Sequence, residues 1–126
     1  MIYLQDKMIV FHDLKPTNVG FDSRGVLKLF DFAFARCTAA PISSSVCNNR
    51  LDDGDKSHLL YDKCDTLRYM APEVGLELGH SFPAEVHSFG ILLWQFCALK
   101  KPFDKVESAD QFHEVVFVNG TRPKLV

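Results

Sequence analysis

One run of the chain, "FPAEVHSFGILLWQFCALKK" from Phe82 to Lys101, limits the possible folds more than any other. Val86, Phe89, Ile91, Leu92, Leu93, Trp94, Phe96 and Leu99 fall on most faces of a helical spiral, and a helix that is apolar nearly all round must be covered nearly all round. Pro83 lies in the first turn, where its missing N–H costs nothing, and Lys100 and Lys101 suit the negative end of the helix dipole. Pro102 marks the stop. The expectation is a buried central helix over about 82–100, with Cys97 as a small core residue and Phe89, Trp94 and Phe96 in the core.

"SADQFHEVVFVNG" predicts one further helix over about 108–119, with Ser108 and Gln111 at capping-box spacing and Gly120 as its end. Upstream, residues 1–8 read as the end of a helix, and "MIVF", "VGFD" and "VLKLF" are short β-rich runs. The last two are joined by the turn Ser23, Arg24, Gly25, and in "VLKLF" Val26, Lys28 and Phe30 alternate with Leu27 and Leu29. Residues 37–66 are rich in Ser, Asn, Asp and Gly and read as one long loop, a length that in a compact domain is functional or disordered. The fold class is α+β, mainly α.

With 126 residues the chain fits one domain, and its 14 basic residues are balanced by 16 acidic ones without a basic block, which argues against a nucleic-acid partner. The longest apolar stretch, Phe89 to Trp94, is far short of a membrane span, and "MIYLQDK" is not a signal peptide. A cytoplasmic or nuclear location is expected. Cys37, Cys47, Cys64 and Cys97 contain no CxxC pair, so free thiols are expected rather than structural zinc. The five histidines show no close metal-ligand spacing, and "LDDGDK" lacks the ligand pattern and closing glutamate of a calcium loop.

The chemistry-bearing residues gather in "IVFHDLKPTNVGF", Ile9 to Phe21, and shortly after it. Phosphoryl transfer needs a carboxylate near the attacking hydroxyl, cations against the phosphates and hard oxygen ligands for magnesium. Asp13 is placed to orient or deprotonate a hydroxyl, Lys15 to neutralise a phosphate, and Asn18 and Asp31 to offer oxygens at the two ends of a short hairpin. Taken alone, the same residues also fit a plain hairpin with polar loop ends.

The order of motifs separates these alternatives. "HDLKPTN", then "DFA" thirteen residues after Asn18, then "TLRYMAPEV", "AEVHSFGILLWQF", "KKPF" and "NGTRP" resemble, in sequence, segments of the C-terminal lobe of eukaryotic protein kinases. The resemblance covers essentially the whole chain. It implies a partial C-terminal lobe over 1–126, with a catalytic loop at 9–18, a magnesium loop at 31–33, an activation segment at 31–73, the central helix and one further helix. It also implies ATP and Mg2+ as cofactors, a protein substrate or protein partner, and no membrane. Asp13 becomes the catalytic base, Lys15 the phosphate stabiliser and Asn18 and Asp31 the magnesium ligands. Thr66 matches a threonine that bonds the catalytic aspartate and lysine. Lysine at position 15 resembles the serine/threonine type, and "LRYMAPEV" agrees with that or a tyrosine-kinase-like type.

The chain departs from the family pattern at several places. Phe11 and His12 stand for histidine and arginine; Phe11 is expected to pack on Phe32, while His12 cannot grip a phosphorylated loop residue as arginine does. Ala33 replaces a glycine, Asp65 brings a carboxylate beside Thr66, and the extra methylene of Glu85 is expected to displace its anchor to the catalytic loop. Nothing in the 126 residues resembles a glycine-rich nucleotide loop. The expectations are therefore a lobe fragment that exposes apolar surface and does not turn over ATP alone, or else a pseudokinase or lobe remnant that contacts protein partners.

Overall fold

The computed structural model describes residues 2–37, 64–78 and 82–124. Most of the predicted long loop, with Cys47, His58 and the acidic run, lies outside these residues, as does His80.

The chain opens with helix α1 (Ile2–Asp6), and Met8 takes a left-handed φ of 55° as it leaves the helix. Strand β1 (Ile9–Val10) follows. The loop that carries Asp13 and Lys15 runs from there into a 3-10 turn, Pro16–Asn18, whose proline sits where no N–H is needed. Strands β2 (Val19–Phe21) and β3 (Leu27–Leu29) pair antiparallel, with Val19 opposite Leu29 and Phe21 opposite Leu27. Asp22 ties the turn between them: its Oδ1 accepts from the N–H of Arg24 at 2.9 Å and of Val26 at 3.0 Å. The backbone bond from Val26, ahead of that from Arg24, holds the Asp22 carboxyl below its ordinary pKa. Gly25 supplies the positive φ of 77° that closes the turn. Strand β4 (Arg36–Cys37) then pairs antiparallel with β1, Val10 opposite Arg36.

Two short helices come next, α2 (Cys64–Leu67) and α3 (Pro72–Gly75), and then the long α4 (Phe82–Ala98). α4 stops before the lysines because Leu99 turns to a left-handed φ of 51°, so neither lysine joins its last turn. The last helix, α5 (Ala109–Gln111), continues as a π-helix over Phe112–Val118. Ser108 caps it by accepting from the Gln111 N–H at 3.2 Å. Gln111 Oε1 accepts from the Glu107 N–H at 2.9 Å, one residue before the position the capping box predicts. Gly120, at φ 66°, ends it, with the Thr121 N–H donating back to the Val115 carbonyl at 3.1 Å.

Two apolar clusters hold these pieces. Leu4, Phe11, Leu14, Tyr69, Ile91 and Leu92 form one, joining α1, the loop that carries Asp13, and α4. Leu67, Val106, Phe112, Val116 and Phe117 form the other, and Phe103 packs against both. The prediction of a helix buried on all sides is corrected: Ile91 and Leu92 are buried, but Val86, Phe89, Leu93, Phe96 and Leu99 are exposed among the described residues. Phe89 and Phe96 are thus not core, and Cys97, predicted to be, is exposed. Hydrophobicity established that the helix needs cover, whereas the elements present cover one side of it. Among the described residues no helix is long and apolar enough to cross a membrane.

Candidate active site

The loop between β1 and β2 is held from beneath by α4. Glu85, buried in the first turns of that helix, accepts through Oε1 from the backbone N–H groups of Phe11 and His12, the latter at 2.9 Å. The expectation that its extra methylene would displace this anchor is corrected; the longer side chain reaches both donors. They need it, because His12 sits at a left-handed φ of 70°, a conformation that costs a side-chain-bearing residue about 1–3 kcal/mol. Phe11 is fully buried, and its ring meets that of Phe32 edge-on with centroids 5.0 Å apart.

The anchored loop delivers Asp13 into a nearly closed position, 2% exposed. Lys15 Nζ lies 2.7 Å from Asp13 Oδ2 and donates to Thr66 Oγ1 at 3.3 Å. The Asn18 amide donates through Nδ2 to Asp13 Oδ2 at 2.9 Å and to the Asp13 carbonyl at 2.8 Å. A buried carboxylate is costly unless it is paired and hydrogen-bonded, and here one oxygen carries both partners. The other, Oδ1, is buried and has no hydrogen-bond partner among the described residues. Asp13 and Thr66 line one small cleft together with Leu14, Tyr69, Met70 and Ser88.

Asp13, Lys15, Asn18 and Thr66 therefore come together. Asp31 is carried close to them by the hairpin, since the Phe30 N–H bonds the Asn18 carbonyl at 2.8 Å. Its own carboxylate is exposed and turned onto its loop, accepting from the Ala33 N–H at 3.2 Å, with its backbone at φ 57°. Among the described residues it bonds neither Asn18 nor Asp13. The Asp65 side chain lies outside the described residues.

The spacing of motifs did not reveal what holds Thr66 in place. Two residues on, Arg68 is 5% exposed and donates to the carbonyls of Pro102 at 2.9 Å, Phe103 at 2.6 Å and Val106 at 3.0 Å, with its guanidinium 5.2 Å from the Phe112 ring centre. It ties the Thr66 segment to the loop after α4. Tyr69 adds a second tie, donating from Oη to Gln95 Oε1 on α4. The available signal was a cation between Leu67 and Tyr69 in an apolar run.

A model of the protein kinase domain matches residues 1–121. The chain belongs to the protein kinase family. It is 35% identical over 105 residues to the human cGMP-dependent protein kinase 2, which covers 83% of this chain but 12% of that protein. It is 31% identical over 127 residues to the cGMP-dependent protein kinase of Plasmodium berghei, covering 98% of this chain and 13% of that protein. It is 34% identical over 125 residues to the bovine mitogen-activated protein kinase kinase kinase 7, covering 98% of this chain and 18% of that protein. The chain thus spans under a fifth of the length of these relatives.

Protein kinases act on protein substrates and use ATP and Mg2+. Asn18 and Asp31 carry oxygen donors of the kind magnesium favours, and the β2–β3 hairpin brings the two residues to its open end.

Proposed function

We propose that this segment is the catalytic-loop half of a protein kinase domain that transfers the γ-phosphate of ATP to a serine or threonine hydroxyl. The observation that supports it is the split of duties at Asp13: Oδ2 is engaged by Lys15 and Asn18, while Oδ1 has no partner. An acceptor hydroxyl bonded to Oδ1 would be oriented and would give up its proton there as phosphorus is attacked. Lys15, within reach of both Asp13 and Thr66, holds positive charge where the transferred group gains negative charge. Thr66 closes the acceptor side. Asn18 and Asp31 are the residues that would hold magnesium, which screens the phosphate charge when bound. Lysine at position 15 favours the serine/threonine type.

The 126 residues contain no glycine-rich nucleotide loop, so the chain alone is expected to show no ATP turnover. Fused behind the nucleotide-binding lobe of a related kinase, it should phosphorylate a generic serine/threonine substrate. Asp13→Ala should then lower the rate by about 100- to 10,000-fold. Activity of the isolated chain that Asp13→Ala abolishes would refute the first expectation. A fusion with no activity that Asp13→Ala can remove would instead favour a non-catalytic module, for which the exposed Val86, Phe89, Leu93 and Phe96 offer a contact surface.

A further inference from the structure

The imidazole of His87, on α4, neither holds the loop that carries Asp13 nor lines its cleft. Both of its ring nitrogens are shut off from solvent, and neither makes a well-formed hydrogen bond among the described residues; the Tyr69 backbone acts on the ring only weakly. A neutral imidazole carries one N–H and one lone pair, and burying them without well-formed hydrogen bonds is costly. A fold tolerates such a group where other contacts over-determine its position.

Two other segments are tied to the helix that carries His87: Tyr69, from the segment carrying Thr66, bonds Gln95, and the stretch after the π-helix is held where Trp94 donates to the Lys124 carbonyl. The Tyr69 backbone, Glu73 of α3 and Arg122 of that stretch all act electrostatically on the His87 ring. Glu85, the nearest ionisable group on its own helix, faces away and spends Oε1 on Phe11 and His12. Burial first, then the charge of Arg122, disfavour the imidazolium; Glu73 and the Tyr69 backbone favour it less strongly, so the pKa stays below that of an ordinary histidine. Arg122 itself is tethered, donating to the carbonyls of Val116 at 3.2 Å and Thr121 at 2.8 Å, so it cannot easily swing clear.

We propose that His87 is an acid-sensitive latch: neutral, it lets the Thr66–Gly75 segment and the 119–124 stretch close over α4, and protonated, it loosens both. Because Thr66 begins that segment and meets Lys15, acid would reach the candidate active site through the latch. The inference does not depend on phosphoryl transfer. The sign follows from the lowered pKa: the closed state is fully favoured above the pKa of the released histidine, loses stability as pH falls through it, and stays weakened below the folded value.

The full 126-residue chain carries its own reporter. Trp94 is the single tryptophan, and its Nε1 donates to the Lys124 carbonyl at 2.8 Å, two residues beyond Arg122. On moving from about pH 7.5 to about pH 5.5, where histidines change charge, amides of 67–76 should exchange severalfold faster after correction for intrinsic rates, and Trp94 emission should shift. His87→Phe, which cannot titrate, should abolish both responses. Should that variant fail to fold, the His87 ring can be titrated by NMR in the native chain, where it should ionise below an ordinary histidine, and Arg122→Gln should raise its midpoint. A His87 ring that ionises at or above the ordinary value overturns the latch, as does an acid response that survives in folded His87→Phe or a segment whose exchange ignores pH.

Discussion

Ile91 and Leu92 are 6% and 3% exposed, whereas Leu93, the next residue of the same helix, is 48% exposed. One side of α4 meets α1, the loop that carries Asp13, and Tyr69; the other presents Val86, Phe89, Leu93 and Phe96. Both sides are apolar, so composition does not separate them. The inner side is defined by what it positions: Glu85 grips the loop that carries Asp13, and Gln95 takes the Tyr69 hydroxyl. The outer side makes no comparable polar contact among the described residues except at its far end, where Trp94 reaches Lys124. Within this chain, site geometry depends on half a helix.

The most direct way to break this contrast is to truncate adjacent leucines. Leu92→Ala should cost about 2–5 kcal/mol, because it opens a cavity among Phe11, Leu14 and Tyr69. Leu93→Ala should cost under about 0.5 kcal/mol, since its side chain is already half in water. Urea midpoints of the purified chain compare the two, and similar losses would mean that the outer side is covered in solution. Glu85→Ala comes next. It leaves the buried Phe11 N–H and the strained His12 N–H without an acceptor, at a cost of about 1–3 kcal/mol. The same measurement should be joined by NMR of the Asp13 and Lys15 resonances, which should move if Glu85 orients the loop.

How much of this was legible in the sequence follows the range of each signal. α4 announces itself through Pro83 and a long apolar run, and the candidate loop through the tight spacing of Asp13, Lys15 and Asn18. The end of α4 was misread because Pro102 is the obvious stop, while the helix ends where Leu99 turns left-handed. Its burial was misread because a hydrophobic pattern records a need for cover and not its supply. The pairing of Ile9–Val10 with Arg36–Cys37 had no signal, since two-residue strands show no periodicity. Residue spacing alone could not join Thr66 to Lys15, which lie 51 positions apart, and the family resemblance supplied that link. Glu85 was misjudged by length: its longer side chain still places Oε1 on the N–H groups of both Phe11 and His12.

The finest test uses two glycines in helical segments, one on each kind of surface. A Cβ added at Gly75 of α3 would run into the ring of Phe117, which is 5% exposed and packed among Leu67, Phe112 and Val116. That ring cannot retreat without opening the second cluster, so Gly75→Ala should destabilise by about 1–3 kcal/mol. At Gly90, in α4, no atom of the described residues outside its own stretch of helix lies within 4 Å of the corresponding position. There the substitution adds helix propensity and removes backbone freedom from the unfolded chain, so Gly90→Ala should stabilise by about 0.5–1 kcal/mol. The same exchange thus carries opposite signs on a packed and an open surface. If Gly90→Ala destabilised instead, something would have to approach the outer side of α4 closely in solution. The contrast between Leu92 and Leu93 would then fail at the same surface and for the same reason.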